Sequence, residues 1–257
     1  MLKAKMRWKV KETDEQLVNE LSEQLGIYKL TATLLVNRGI RSAEAAYLFL
    51  HPEQYDYHDP FFMKGMRESV SRIKRALKNG ERILIFGDYD ADGVTSTALM
   101  VQLLRHYRAD FLTYIPNRFT EGYGPNEAAF RWAKEQGVSL IITVDTGISA
   151  VYEVEIANQL GMDVIITDHH EPPESLPDAY AIINPKQPGC AYPFKGLAGV
   201  GVAFKLAHAI LGAVPEQWLD LAAIGTIADL APLRDENRKI ARVGLKKLQA
   251  SDHVGLK

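Results

Sequence analysis

Ile83-Leu-Ile-Phe-Gly-Asp-Tyr-Asp-Ala-Asp-Gly-Val-Thr-Ser-Thr97 begins as a short apolar run and ends in three aspartates at alternate positions, Asp88, Asp90 and Asp92. A glycine and several hydroxyl residues follow, a pattern suited to opening a helix. Three carboxylates this close repel one another unless cations hold them or water solvates them. The stretch therefore predicts a strand, a turn bearing part of a metal site, and a helix.

Working outward, residues 80 to 183 alternate between short apolar runs and helical patterns. Strands are expected at Ile83–Phe86, Phe111–Ile115, Ser139–Val144, Asp163–Thr167 and Tyr180–Ile183. Helices are expected at Thr95–Tyr107, Asn126–Gln136 and Ala150–Leu160, with two more near Ala203–Leu211 and Glu216–Ile227. Continuously apolar strands separated by helices of this length argue for an α/β fold: a mostly parallel five-stranded sheet covered by helices on both faces. Leu17–Leu25, Thr31–Asn37 and Ala43–Leu50 read as short helices, so residues 1–80 are expected to form a small helical N-terminal arm. Residues 81–235 are then the main α/β domain, which carries the aspartate stretch. Residues 236–257 start a linker helix with Ile240, Val243 and Leu248 on its apolar side, and the chain reads as stopping before a second domain.

Residues 3–11 alternate cationic and apolar side chains, the pattern of a short edge strand. Between Lys64 and Arg82 seven cations face only Glu68 and Glu81, either a polyanion-binding helix or a solvated one. Bulk composition excludes several classes. The 257 residues are 47% hydrophobic and 24% charged, with net charge −2, so the chain as a whole is not a basic nucleic-acid binder. No run is long enough to span a membrane, and the first residues lack a signal-peptide core. The single cysteine, Cys190, permits no intrachain disulfide and suggests the cytoplasm.

Two more expected strands end in acids or histidines: Asp145 follows Ser139–Val144, and Asp168-His169-His170 follows Asp163–Thr167. A helical stretch ends at Asp229. In an open parallel sheet the carboxyl ends of the strands share one edge, where ligands bind. Any one of these aspartates is easily a helix cap, but three strand ends of five form a pattern. The Asp-x-Asp-x-Asp-Gly run is not an EF-hand loop, because its twelfth position is Leu99 and a strand precedes it. Gly199-Val-Gly201 lacks the third glycine of a dinucleotide fingerprint, so its glycines point to close backbone approach, to another element or to a phosphate. Carboxylates with imidazole and no thiolate favour Mn²⁺ or Mg²⁺, and so many acids suit two ions. The pattern reads as a metal-dependent phosphoesterase.

Four segments, Gly87-Asp-Tyr-Asp-Ala-Asp-Gly93, Val144-Asp-Thr-Gly147, Asp168-His-His170 and Gly225-Thr-Ile-Ala-Asp229, resemble the motifs of the DHH phosphoesterase family. The likeness is to its single-strand-specific 5′→3′ DNA exonucleases, and it extends to Leu35–Gly39, Phe49–Pro52, Ile115–Gly124, Asn184–Lys186 and Gly199–Lys205. The resemblance implies that Asp90 and Asp92 each favour one ion, that Asp145 bridges, and that His169 and Asp229 complete the second site. Asp88 and Asp168 are ligands or orienting groups. On an extended backbone the rings of His169 and His170 point opposite ways, so His170 is expected at the phosphate, with Asp168 beside it in the catalytic set. Arg118, Lys186 and Lys205 are candidates for holding the phosphate, and Tyr89 and Tyr123 for stacking bases. Single-stranded DNA is the implied partner, with a single-strand-binding protein and a helicase alongside. Within the family the alternatives are a phosphodiesterase of cyclic dinucleotides or short oligonucleotides, and a non-catalytic binding member.

Overall fold

The computed structural model describes residues 9–256. Within them the chain forms two compact units, divided after Tyr55. The first contains α1 (Glu15–Leu25), α2 (Lys29–Asn37) and α3 (Ala43–Leu50). Asp14 caps α1 by accepting the Leu17 N–H, and Ser42 caps α3 through Ala45. Both are the short oxygen acceptors that helix N-termini favour. Val18, Leu21, Ala32, Leu35, Val36 and Ala46 are the buried centre of this unit. Residues 3–8 of the expected edge strand lie outside the described residues, and residues 9–11 carry no strand.

The second unit is built on five parallel strands, β1 (Arg82–Gly87), β2 (Phe111–Tyr114), β3 (Val138–Val144), β4 (Asp163–Thr167) and β5 (Ala181–Ile183), in the order β2-β1-β3-β4-β5. Period-two alternation divides β1 between two cores. Leu84 and Phe86 pack with residues of α6 (Glu127–Glu135) and α7 (Val151–Gln159). Ile83 and Ile85 pack against α4 (Met66–Asn79), α5 (Ala91–His106), α8 (Gly199–Leu211) and α9 (Leu219–Ala228). Both faces are covered, as the apolar strand sequences require. The strand order reverses direction between β1 and β3, and the crevice at such a switch point is where open α/β sheets bind ligands.

Three expectations are adjusted. The helix α4, expected in the arm, belongs to the second unit, because Met66, Val70, Ile73 and Ala76 bury a stripe against β5 and α8. Five of the seven cations from Lys64 to Arg82 have partners within the unit: Lys64 with the Pro188 carbonyl, Arg67 over the Phe61 ring, Arg72 with Glu81 and Asp163, Arg75 with Asp163, and Arg82 with Asp110. Asp163 and Glu81 stand at the amino ends of the strands, opposite the carboxyl edge, so this helix does not line the crevice. The last helix, α10 (Asp235–Leu248), packs along α9 within the second unit. Gly244 makes that possible: a Cβ there would stand 2.1 Å from the Leu219 carbonyl oxygen. No helix among the described residues is long and apolar enough to cross a membrane.

Candidate metal centre

Each acid occupies the end of an element. Asp88 follows β1 and is buried, with one carboxylate oxygen lacking any hydrogen-bond partner. Asp90 caps α5 by accepting the Gly93 N–H at 2.9 Å. Asp92, in the first turn of α5, is buried, and its oxygens accept the Gly199 and Val200 N–H groups at 2.7 and 2.8 Å. Those are the first residues of α8, whose free N–H groups and dipole favour an anion. Asp145 leaves β3 with φ +62, a left-handed conformation that costs a non-glycine residue energy and here turns its carboxylate into the crevice. A Cβ on Gly199 would lie 2.3 Å from Asp145 Oδ1, so only glycine admits α8 this close.

The histidines complete the cluster. His169 Nε2 lies 3.1 Å from Asp145 Oδ1 and 3.8 Å from Asp92 Oδ2, while its Nδ1 is 3.9 Å from Asp229 Oδ2 at the end of α9. Three trios bring ligand atoms within 4.8 Å of one another: Asp88, Asp90 and Asp145; Asp92, His169 and Asp229; and Asp145, His169 and His170. The His169 and His170 rings are 4.5 Å apart rather than on opposite faces, because both residues follow the end of β4.

Burial and mutual repulsion mark the site electrostatically. Asp92 is raised to about 8, first by desolvation and then by Asp145; Asp145 is raised to about 8, first by desolvation and then by Asp90 and Asp168. Asp88 is also raised, chiefly by burial. Asp145 Oδ1 has no hydrogen bond. Buried carboxylates that push one another toward protonation are what a divalent cation relieves, and this oxygen-and-imidazole donor set fits hard ions.

Asp168 is different. Its Oδ1 accepts the N–H groups of His169 and His170 and lies 2.7 Å from His170 Nδ1, while its Oδ2 accepts the Ile148 N–H. Burial works to raise it, but the bond and charge of His170 and the backbone N–H groups bring it below the ordinary carboxylate range. In return His170 is raised to about 9, primarily by its hydrogen bond to Asp168. The aspartate holds the ring with Nδ1 toward its carboxylate, an arrangement that favours the protonated imidazole.

The expected phosphate holders separate. Arg118 lies over the Tyr89 ring, 5.2 Å from its centroid, at the rim of the centre. Lys186 is partly exposed and pairs with Glu171 at 3.0 Å, next to His170. Lys205 is not a phosphate holder. It is completely buried, 2.8 Å from buried Glu236, and it also donates to the His58 carbonyl. Its position in α8 turns it into the core, away from the N-terminal turn that meets Asp92.

Residues 82–226, more than half of the chain, match the DHH family, N-terminal domain. The chain belongs to the DHH family. This DHH chain is 62% identical over its whole length to the Bacillus subtilis single-stranded-DNA-specific exonuclease RecJ, of which it covers 33%. The structure of Thermus thermophilus RecJ in complex with Mn²⁺ is 34% identical, with a TM-score of 0.78 over 94% of this chain and 34% of that one. The Mg²⁺ complex of the same protein gives 31% identity and a TM-score of 0.65, over 94% of this chain and 31% of the other. The chain thus spans about a third of the length of these relatives.

Sequence reasoning missed several supports of the DHH site. Gly199 and Val200 hold Asp92 through backbone N–H groups, for which the only sequence signal was the glycine itself. The Ile148 N–H fixes Asp168. Buried Asn184 donates to the His170 carbonyl at 2.9 Å and accepts the Lys186 N–H at 2.8 Å, so the Asn-Pro-Lys segment braces the histidine turn.

Proposed function

We propose that this chain forms the hydrolytic centre of a divalent-metal-dependent exonuclease that degrades single-stranded DNA 5′→3′, releasing 5′-mononucleotides in recombination and repair in the cytoplasm. The observation that carries the reading is the convergence of Asp88, Asp90, Asp92, Asp145, His169 and Asp229 at the sheet's switch point, in trios whose ligand atoms lie within 4.8 Å of one another. The RecJ relatives support the substrate class and Mn²⁺ or Mg²⁺ as the ions.

Asp88, Asp90 and Asp145 would hold one ion, and Asp92, His169 and Asp229 the other, with Asp145 reaching both because it lies against His169. Ions bound there supply Lewis acidity: they lower the pKa of a water and neutralise charge developing on the phosphoryl oxygens. The chain's own groups do the rest. Asp168 keeps a proton on His170 Nδ1, leaving the opposite edge of the imidazolium to hydrogen-bond a phosphate oxygen as phosphorus is attacked and the 3′-oxygen departs. Burial of Asp92 and Asp145 excludes water and strengthens each charge interaction. Arg118 and Lys186 at the rim offer positive charge to the strand. A single-strand-binding protein and a helicase, which hold and expose such strands, are the protein partners consistent with this role.

The test compares Mn²⁺-dependent cleavage of a 5′-phosphorylated single strand, the matching duplex and a cyclic dinucleotide by wild type and Asp145→Ala. Mononucleotide release from the single strand by wild type alone is expected. Equal activity in the variant would overturn the metal-site roles, and preference for the cyclic substrate would overturn the strand as substrate.

A further inference from the structure

The loop from Ile115 to Pro125, between β2 and α6, presents one large side chain that the metal centre does not use. Phe119 is 94% exposed. The loop that carries it is nevertheless tightly tied. Asn117 Oδ1 accepts the N–H groups of Phe119 and Thr120 at 2.9 and 3.3 Å, and the Asn117 N–H donates to Glu121 Oε2 at 2.8 Å. Glu121 Oε1 receives the Tyr114 hydroxyl and the Asn126 amide. Both ends of the loop also reach the metal centre. Arg118 lies over Tyr89, the residue between Asp88 and Asp90, and the Tyr123 hydroxyl is 3.5 Å from the Asp145 carbonyl oxygen. Tyr89 and Tyr123 meet edge to face at 6.4 Å between ring centroids.

A phenylalanine held in water on a braced loop has a face free for a ligand. Its chain neighbours Arg118, Thr120 and Glu121 are polar, so the ring stands beside a cation rather than within an apolar run. One isolated ring beside a cation suits one flat, weakly polar group attached to an anionic backbone, which is a nucleobase. In a duplex the base faces are already stacked, so only an unpaired base offers itself.

We propose that Phe119 is a stacking platform for a single nucleobase of the bound strand, and that it favours unpaired over paired DNA. The inference rests on the nuclease reading above. It is tested with the full chain and Mn²⁺ by measuring KM for a 5′-phosphorylated single strand and for a set of strands each carrying one abasic site. Phe119→Ala is expected to raise KM about 5- to 100-fold, the range of one lost base stack, with an unchanged thermal midpoint. Phe119→Trp restores the wild-type value. For wild type, one abasic position costs the same factor, and Phe119→Ala shows no further loss at that position. An unchanged KM in Phe119→Ala, or an equal abasic penalty in both proteins at every position, overturns the stacking role and leaves the nuclease reading standing. A wild-type chain that neither cleaves nor binds the single strand overturns both.

Discussion

Replacing Lys205 with methionine separates a structural cation from a substrate-binding one. Lys205 and Glu236 are both completely buried, with Nζ 2.8 Å from Oε1. The glutamate also accepts the His58 N–H at 2.9 Å and the Tyr192 hydroxyl. Desolvation lowers the lysine and the Glu236 charge works against that shift, as in a pair whose partners stabilise each other away from water. Methionine preserves most of the stem's packing and removes the ammonium, leaving a carboxylate in the core with two neutral donors and the His58 carbonyl without the lysine's hydrogen bond. Breaking a buried pair from one side costs about 3–5 kcal/mol. For a domain of this size that corresponds to a fall in Tm of about 6–20 °C. Urea unfolding followed by tryptophan fluorescence measures the loss. Adding Glu236→Gln to Lys205→Met removes the stranded charge and should recover at least part of it. A single variant within about 1 kcal/mol of wild type refutes the reasoning, as does a double variant less stable than the single. A stable Lys205→Met chain with weakened strand binding would instead restore the phosphate role expected from the sequence.

Three further outcomes follow from the same structure. Gly199→Ala forces a methyl group to within 2.3 Å of Asp145 Oδ1, so Mn²⁺ affinity by calorimetry and strand cleavage should both fall at least about ten-fold while far-UV dichroism is preserved. Saturating Mn²⁺ should raise Tm relative to chelator, by the equivalent of about 2.7 kcal/mol at a hundred times Kd, and Asp145→Ala should lose most of that gain. His208 is lowered to about 4 by burial and then by the charge of Lys205, with Asp59 opposing, and its Nδ1 is buried without a partner. Its folded value lies below the unfolded one of about 6.5, so the unfolded chain takes up the extra proton. Stability is therefore unaffected above that pH and falls as pH drops from about 6.5 through 4, by about 1–2 kcal/mol after allowing for its half-buried ring. In His208→Gln the acid side of the pH–stability curve should be flatter by that amount.

The strands and the carboxyl-edge acids were legible because two simple regularities specify them. Apolar runs of strand length ended in Asp88, Asp145 and Asp168, and parallel pairing brings those ends together whatever their separation in sequence. Lys205 was misread because its motif neighbours, Gly199 and Val200, do touch the site. Helical periodicity carries a residue six positions later to a different face, and the partner that claims it, Glu236, is 31 positions away. The relation of His169 to His170 failed for another reason. The strand ends before them, so the alternation of side chains that holds within β4 no longer applies. Left-handed Asp145 had no sequence signal, since φ +62 is a tertiary demand on a residue that ordinarily avoids it.

The helix α8 joins these results. Its first turn grips Asp92, its first residue sets the distance to Asp145, and its middle is locked to α10 through Lys205 and Glu236. A helix is stiff along its axis, so a displacement at Lys205 is carried to the Gly199 and Val200 N–H groups rather than absorbed between them. Asp92 cannot follow freely, because its own helix α5 is fixed by the Asp90 cap and by packing against α8 and α9. The cluster of raised carboxylates is thus held by elements whose anchors lie in the core, outside the crevice. Such a scaffold holds the acids close together, and burial with the neighbouring carboxylates pushes Asp92 and Asp145 toward protonation, the penalty that a bound divalent cation relieves.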